Sequence, residues 1–236
     1  MWVLAGSPKD RTIQQINLTN GKVEHVLPVG SAASAIAEST TGTLAVGYGN
    51  PQGTIEFRDA GTGAVESSIG VGQPVIDIAV QGQASTFFVL DGTASATTVN
   101  LVLPSGPSVQ SAIGVPLGSV AVAPTADGNH LYLLEHSGAV IDFPASTKTS
   151  QPSSQFYAGQ GAIQIALSPD GSTLFVLKRA HGETNVGEFG LSTQSQERVV
   201  PAPAGSVDLQ PSLDGSHLYL LVGTATVGNI QVIPIG

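Results

Sequence analysis

The chain has no cysteine among its 236 residues. That excludes disulfides and thiolate metal sites within it. Charge is scarce too: 11% of residues are Asp, Glu, Lys or Arg, against a usual ~25%. Eight basic residues face seventeen acidic ones, a formal net charge of −9. Tracking a phosphate backbone needs clustered Lys and Arg, and the eight here are scattered. Nucleic acid is therefore not an expected partner. Direct contact with an anionic membrane is disfavoured for the same reason. Aromatic residues make up 5%, too few for a broad aromatic docking patch. No apolar run reaches the ~18 residues of a membrane helix. No stretch keeps a 3.6-residue period, so almost no α-helix is expected. Hydrophobic residues still make up 41%, enough to bury a sizeable core.

What is present is a repeat. Thr43-Leu-Ala-Val, Thr86-Phe-Phe-Val, His130-Leu-Tyr-Leu, Thr173-Leu-Phe-Val and His217-Leu-Tyr-Leu begin 43, 44, 43 and 44 residues apart. Four of the five follow a polar turn: Thr41-Gly42, Asp127-Gly128, Asp170-Gly171 and Asp214-Gly215. A stranded unit with a period in the forties cannot bury its faces alone, and is the mark of a β-propeller blade. The fold class expected is all-β, one β-propeller domain over residues 1–236.

The repeat around Ser168 supplies the template. Ala162–Leu167 reads as an innermost strand. Ser168-Pro-Asp-Gly171 reads as a tight turn, in which Pro presets one dihedral and Gly accepts a positive φ. Thr173–Leu177 is the second strand, Arg179–Glu183 a polar loop, Thr184–Leu191 the third strand and Gln196–Val200 a polar outer strand. Other innermost strands fall at Ala33–Ala37, Val75–Val80, Val120–Ala123 and Val207–Gln210. Met1–Leu4 aligns with Leu44–Gly47, so the chain opens on a second strand. Asn229–Ile233 matches Thr12–Ile16 and reads as a third strand. Six periods would need about 261 residues, roughly 25 more than are present. Six blades are expected, the two at the seam incomplete, with five as the alternative. The start at Met1-Trp-Val-Leu, with no basic leader, suggests a piece of a longer protein, whose parent could have seven blades.

Ser168-Pro-Asp-Gly-Ser-Thr-Leu-Phe-Val-Leu177 resembles the repeat of YVTN-type and lactonase-like propellers, in which a Ser-Pro-Asp-Gly turn precedes a Leu-Tyr-Val strand. Asp214-Gly-Ser-His-Leu-Tyr-Leu220 and Asp127-Gly-Asn-His-Leu-Tyr-Leu133 are looser copies. The Trp-Asp pairs of WD40 arrays and the paired glycines of kelch repeats are absent. The resemblance implies one of two uses. One is an extracytoplasmic binding or scaffold protein. The other is a hydrolase of sugar lactones, with acidic, His and Arg residues at a central channel. No catalytic residue carries over, because the shared motif is a turn.

Asp77, Gln164 and Asp208 share one repeat position in the innermost strand, where Ala35 and Ala121 stand in other repeats. Innermost strands of a propeller line its channel, so these three are the candidate binding residues for a small polar ligand. The competing explanation is that they satisfy buried neighbours. No cofactor or metal site is expected. A cation held by this set would be Ca2+ or Mg2+ rather than zinc, since its ligands would be oxygens. His130 and His217 occupy equivalent strand starts and cannot converge on a metal; His25 and His181 are expected to be exposed. The Asp-Gly pairs lack the dense oxygens of a calcium loop and are turns, Asp91-Gly92 being a different turn after a second strand. No Gly-x-Ser-x-Gly elbow occurs, and the lone Asn17-Leu-Thr19 acceptor tripeptide is of the kind expected by chance.

The expectation is therefore a monomeric, non-enzymatic propeller that binds a protein or a small polar ligand as a sensor or scaffold module. Its loops at Tyr48–Gly53, Ala145–Ser154 and Arg179–Glu183 would do the binding. The neutral, lysine-poor surface points outside the cytoplasm, a cytoplasmic location being the alternative. A lactonase-like hydrolase and a structural spacer are the other readings of function.

Overall fold

Six antiparallel sheets follow one another along the chain and make it a six-bladed β-propeller, with no helix among the described residues. The computed structural model describes residues 1–7, 9–81, 85–145, 151–223 and 228–235. Residues 1–115 form one compact unit and residues 116–236 another.

The first unit holds three sheets. They are β1 (Trp2–Ser7), β2 (Asp10–Ile16) and β3 (Val23–Pro28); β4 (Ala33–Glu38), β5 (Thr43–Tyr48), β6 (Thr54–Asp59) and β7 (Val65–Gly70); and β8 (Val75–Val80), β9 (Phe87–Gly92), β10 (Thr97–Leu103) and β11 (Ser108–Gly114). The second unit holds β12 (Ser119–Pro124), β13 (His130–Glu135), β14 (Ala139–Pro144) and β15 (Ser154–Tyr157); β16 (Ala162–Leu167), β17 (Thr173–Ala180), β18 (Glu183–Gly190) and β19 (Ser195–Pro201); and β20 (Ser206–Pro211), β21 (His217–Gly223) and β22 (Gly228–Pro234). Within each sheet, each strand pairs with its successor. The first and last sheets have three strands, as the repeat arithmetic expects: one begins on the second strand of the repeat, the other stops at the third.

Register makes the repeat visible at single residues. One row of cross-strand neighbours runs through Ala35, Gly47, Ile55 and Ile69 in the second blade. Its equivalents are Asp77, Leu90, Val99 and Ile113 in the third, and Ala121, Leu134, Val140 and Phe156 in the fourth. In the fifth the row is Gln164, Leu177, Val186 and Val200. The sixth has Asp208, Leu221 and Ile230. Leu4, Ile13 and Leu27 form the row of the first blade. The alignment of Met1–Leu4 with Leu44–Gly47 is thereby confirmed, because Leu4 and Gly47 hold the same place.

The turns before the second strands explain the Asp-Gly signature. In the fifth blade Gly171 has φ 71° and its N–H donates to the carbonyl of Ser168 at 2.8 Å. Asp170 Oδ1 accepts from the Ser168 hydroxyl (2.5 Å) and the Ser172 N–H (3.1 Å), while Thr173 N–H donates to Ser168 Oγ (3.0 Å). Thr125, Asp127, Asn129 and His130 repeat the same bonds, as do Ser212, Asp214, Ser216 and His217. These aspartates are structural.

The core lies between neighbouring sheets of each unit. Ile55, Phe57, Val75, Ile78, Phe87 and Val89 join the second and third blades, with the Phe57 and Phe87 rings 5.4 Å apart. Leu134, Val140, Ile165, Val176 and Phe189 join the fourth and fifth; Leu177, Val186, Leu209, Leu218 and Leu220 join the fifth and sixth. Each fully buried Leu or Phe of this kind contributes ~1.5–3 kcal/mol relative to exposure.

Two expectations need correction. The expected polar loop at Arg179–Glu183 is mostly strand: β17 runs to Ala180, β18 starts at Glu183, and only His181-Gly182 turns. Both turn residues have positive φ, 53° and 82°, the geometry of a two-residue hairpin turn that matches strand twist. Asp91-Gly92 is not a turn either. Both residues close β9 and pair with Thr98 and Thr97. Of the expected loop at Ala145–Ser154, residues 146–150 lie outside the described residues.

Candidate functional site

Every innermost strand of the repeat carries a β-bulge at the same place. The register of the pair shifts between Ala33 and Ala35, Val75 and Asp77, Ser119 and Ala121, Ala162 and Gln164, and Ser206 and Asp208. The extra residue is Ser34, Ile76, Val120, Ile163 or Val207. A bulge frees backbone groups from the ladder and re-aims the side chains beside it. Asp77, Gln164 and Asp208 therefore share a structural position as well as a sequence position.

Each of the three uses one side-chain oxygen in the same way. Asp77 Oδ1 accepts the N–H of Ile78 at 2.9 Å. Gln164 Oε1 accepts that of Ile165 at 2.9 Å, and Asp208 Oδ1 that of Leu209 at 2.8 Å. An acceptor right after the bulge satisfies a donor that would otherwise lack a partner. Thus part of the reason for polar residues here is structural.

Asp77 lies in the first unit and is half-buried. Beside it the bulge residue of the previous blade, Ser34, ties the two sheets by donating to the carbonyl of Val75 at 2.7 Å. In the second unit the structure brings Gln164 and Asp208 together across neighbouring sheets. With its oxygen engaged by Ile165, the Gln164 amide faces the Asp208 carboxyl and lowers its pKa. The Asp208 residue keeps substantial solvent-accessible surface, yet protein atoms crowd its carboxyl. Crowding by burial pushes its pKa up to about 6, held back by the Leu209 N–H and the Gln164 amide. Its carboxyl therefore takes up a proton at a higher pH than a free aspartate does.

Ile163, the bulged residue before Gln164, also lines a cleft of about 520 Å3. Arg179, His181 and Glu183 from the β17–β18 hairpin and Gly205 from the approach to β20 complete its walls. Asn50, which belongs to the expected loop at Tyr48–Gly53, donates from its amide to Thr54 Oγ1 at 3.5 Å.

The histidines serve local ends. His130 Nδ1 lies 2.7 Å from Asp142 Oδ1, and His217 Nδ1 lies 2.6 Å from Ser216 Oγ. His25 and His181 are exposed. Among the described residues, no three His, Asp or Glu side chains gather closely enough to hold a metal ion.

One carboxylate escaped the sequence reading. Asp91 is 0% exposed. It accepts from the Thr98 hydroxyl and from Asn100 Nδ2 at 3.0 Å. Burial pushes its pKa up to about 6 against the lowering effect of those two donors. The available signal was an acid directly after the four apolar residues Phe87-Phe-Val-Leu90.

No protein-family model matches the chain, and no curated protein is similar enough to count as a relative.

Proposed function

We propose that this β-propeller is a non-enzymatic binding module that takes a small polar ligand through Gln164 and Asp208. The observation that carries the reading is their juxtaposition: an amide and a carboxyl on an exposed residue face each other from neighbouring blades, at a position that alanine fills in two others. Packing alone is satisfied by Ala35 and Ala121 at that position. A carboxylate on a solvent-exposed residue suits a ligand that offers hydroxyl or ammonium donors. The turn-and-strand resemblance to YVTN-type propellers supports the same use, in an extracytoplasmic sensor or scaffold. The low content of Lys and Arg fits that setting.

Thermal unfolding of the chain with Ca2+, Mg2+, glucose, N-acetylglucosamine and gluconolactone tests the proposal. A ligand that prefers the native state raises Tm. At least one probe is expected to raise Tm of the wild type and not of Asp208→Asn. No shift with any probe, or the same shift in both proteins, overturns it. Turnover of the lactone would replace binding by hydrolysis.

A further inference from the structure

One position of the repeat carries a side chain that the fold does not need. Two residues past the row position of each second strand, the backbone ties back to the segment before the innermost strand of the same blade. Gly49, Gly92, His136, Arg179 and Gly223 donate there to the carbonyls of Ala32, Pro74, Gly118, Gly161 and Gly205. The first blade has Gly6 at the place. Glycine in four blades shows that the backbone bond requires no side chain. The fifth blade puts an arginine there.

Arg179 pairs with Thr184 across the β17–β18 hairpin, and directly opposed side chains share a face of the sheet. Leu177 and Val186, two residues back along the same face, pack with Leu209 and Leu218 of the sixth blade. Arg179 and Thr184 therefore project on the side of the sixth blade, where they line the cleft of about 520 Å3 with Ile163, Ala204 and Gly205. Among the described residues no carboxylate lies within ion-pair distance of the Arg179 guanidinium, and the Thr184 hydroxyl has no hydrogen-bond partner. The connection from β19 to β20 adds two donors. Its turn, Pro203-Ala-Gly-Ser206, is closed by the Ser206 N–H on the Pro203 carbonyl at 3.2 Å, with Gly205 at φ 86°. The Ala204 and Gly205 N–H groups meet no acceptor among the described residues. The turn Pro116-Leu-Gly-Ser119 before β12 is built alike, but there Leu117 occupies the place of the smaller Ala204.

We propose that this cleft is a second binding site, for a small organic monocarboxylate, and that it works independently of Gln164 and Asp208. A guanidinium fork takes both oxygens of a carboxylate at once. The Thr184 hydroxyl and the two turn N–H groups are further donors to the same anion. Ile163, Ala180 and Ala204 supply apolar surface for the body of the ligand. Glu183 at the cleft and the net charge of −9 disfavour a dianion.

Isothermal titration calorimetry of the whole chain with benzoate, benzamide and inorganic phosphate tests this. Benzoate is expected to bind the wild type saturably. Benzamide, which has the same shape without the charge, should bind at least about tenfold more weakly. Phosphate should bind more weakly than benzoate. Arg179→Gln should keep the wild-type Tm, because no internal bond uses the guanidinium, and should weaken benzoate at least about tenfold. Asp208→Asn should bind benzoate as the wild type does. Absence of saturable benzoate binding, equal binding of benzamide, or equal binding by Arg179→Gln overturns the proposal. Tighter binding of phosphate overturns the class of ligand, and loss of benzoate in Asp208→Asn overturns the independence of the two sites.

Discussion

Asn100 donates to Asp91 at 3.0 Å inside the third blade, and the acid it holds is fully buried. No Lys or Arg is among the groups that shift its pKa. The charged form is therefore stabilised by hydrogen bonds alone, and they offset only part of the cost of burial.

Stability at this residue runs against pH. The folded pKa is raised from 3.8 to about 6. The contribution is complete below the unfolded value and is lost as pH rises through the folded one. The rise corresponds to about 3 kcal/mol. Urea unfolding at pH 5 and pH 8 is expected to show wild type losing stability over that interval. Asp91→Asn should lose less, because its neutral side chain can still bond to Thr98 and, after an amide flip, to Asn100. An unchanged pH dependence in the variant would contradict the burial argument.

The turn aspartates have the opposite sign. Hydrogen bonds from Thr125 and Asn129 hold Asp127 down at about 2, and those from Ser212 and Ser216 hold Asp214 lower still. Asp170 is lowered by Ser168 and Ser172. Their contribution is present above the unfolded pKa and lost as pH falls through the folded values. A variant with Asn at all three positions should be less stable at pH 7 and less sensitive to acid below pH ~4. Acid titration followed by circular dichroism reads both effects.

Gly47 shows why one row position departs from leucine. Leu90, Leu134, Leu177 and Leu221 hold that place in other blades. A Cβ on Gly47 would lie 2.5 Å from Val75 Cγ1 and 2.8 Å from Ile78 Cδ1 of the next sheet. Gly47→Ala is expected to cost ~1–3 kcal/mol by overpacking. Val75→Ala in the same chain should recover part of that loss. A double-mutant cycle in urea measures the coupling, and additive losses would contradict the contact.

Much of this architecture is written in the sequence because each repeat obeys the same constraints. The Ser168–Gly171 turn, the apolar second strands and the shared position of Asp77, Gln164 and Asp208 all rest on short-range chemistry that recurs at fixed spacing. The bulges were invisible, since Val120, Ile163 and Val207 read as ordinary members of an apolar strand. Only pairing to a second strand makes one of them extra. The His181-Gly182 hairpin was hidden by its polar neighbours, which look like a loop until Ala180 is seen opposite Glu183. Asp91 reads as a turn in the sequence because Asp-Gly is a strong turn signal. Its partners Thr98 and Asn100 stand on the next strand, beyond what local sequence shows.

The carboxyl carbon of Asp208, followed by NMR through a pH titration, tests the proposed site most directly. A midpoint near 6 is expected in the wild type. It should move higher in Gln164→Ala, where the amide that favours the charged form is gone. A midpoint in the ordinary carboxylate range in both proteins would contradict the account, since Asp208 would then be neither crowded nor paired with Gln164.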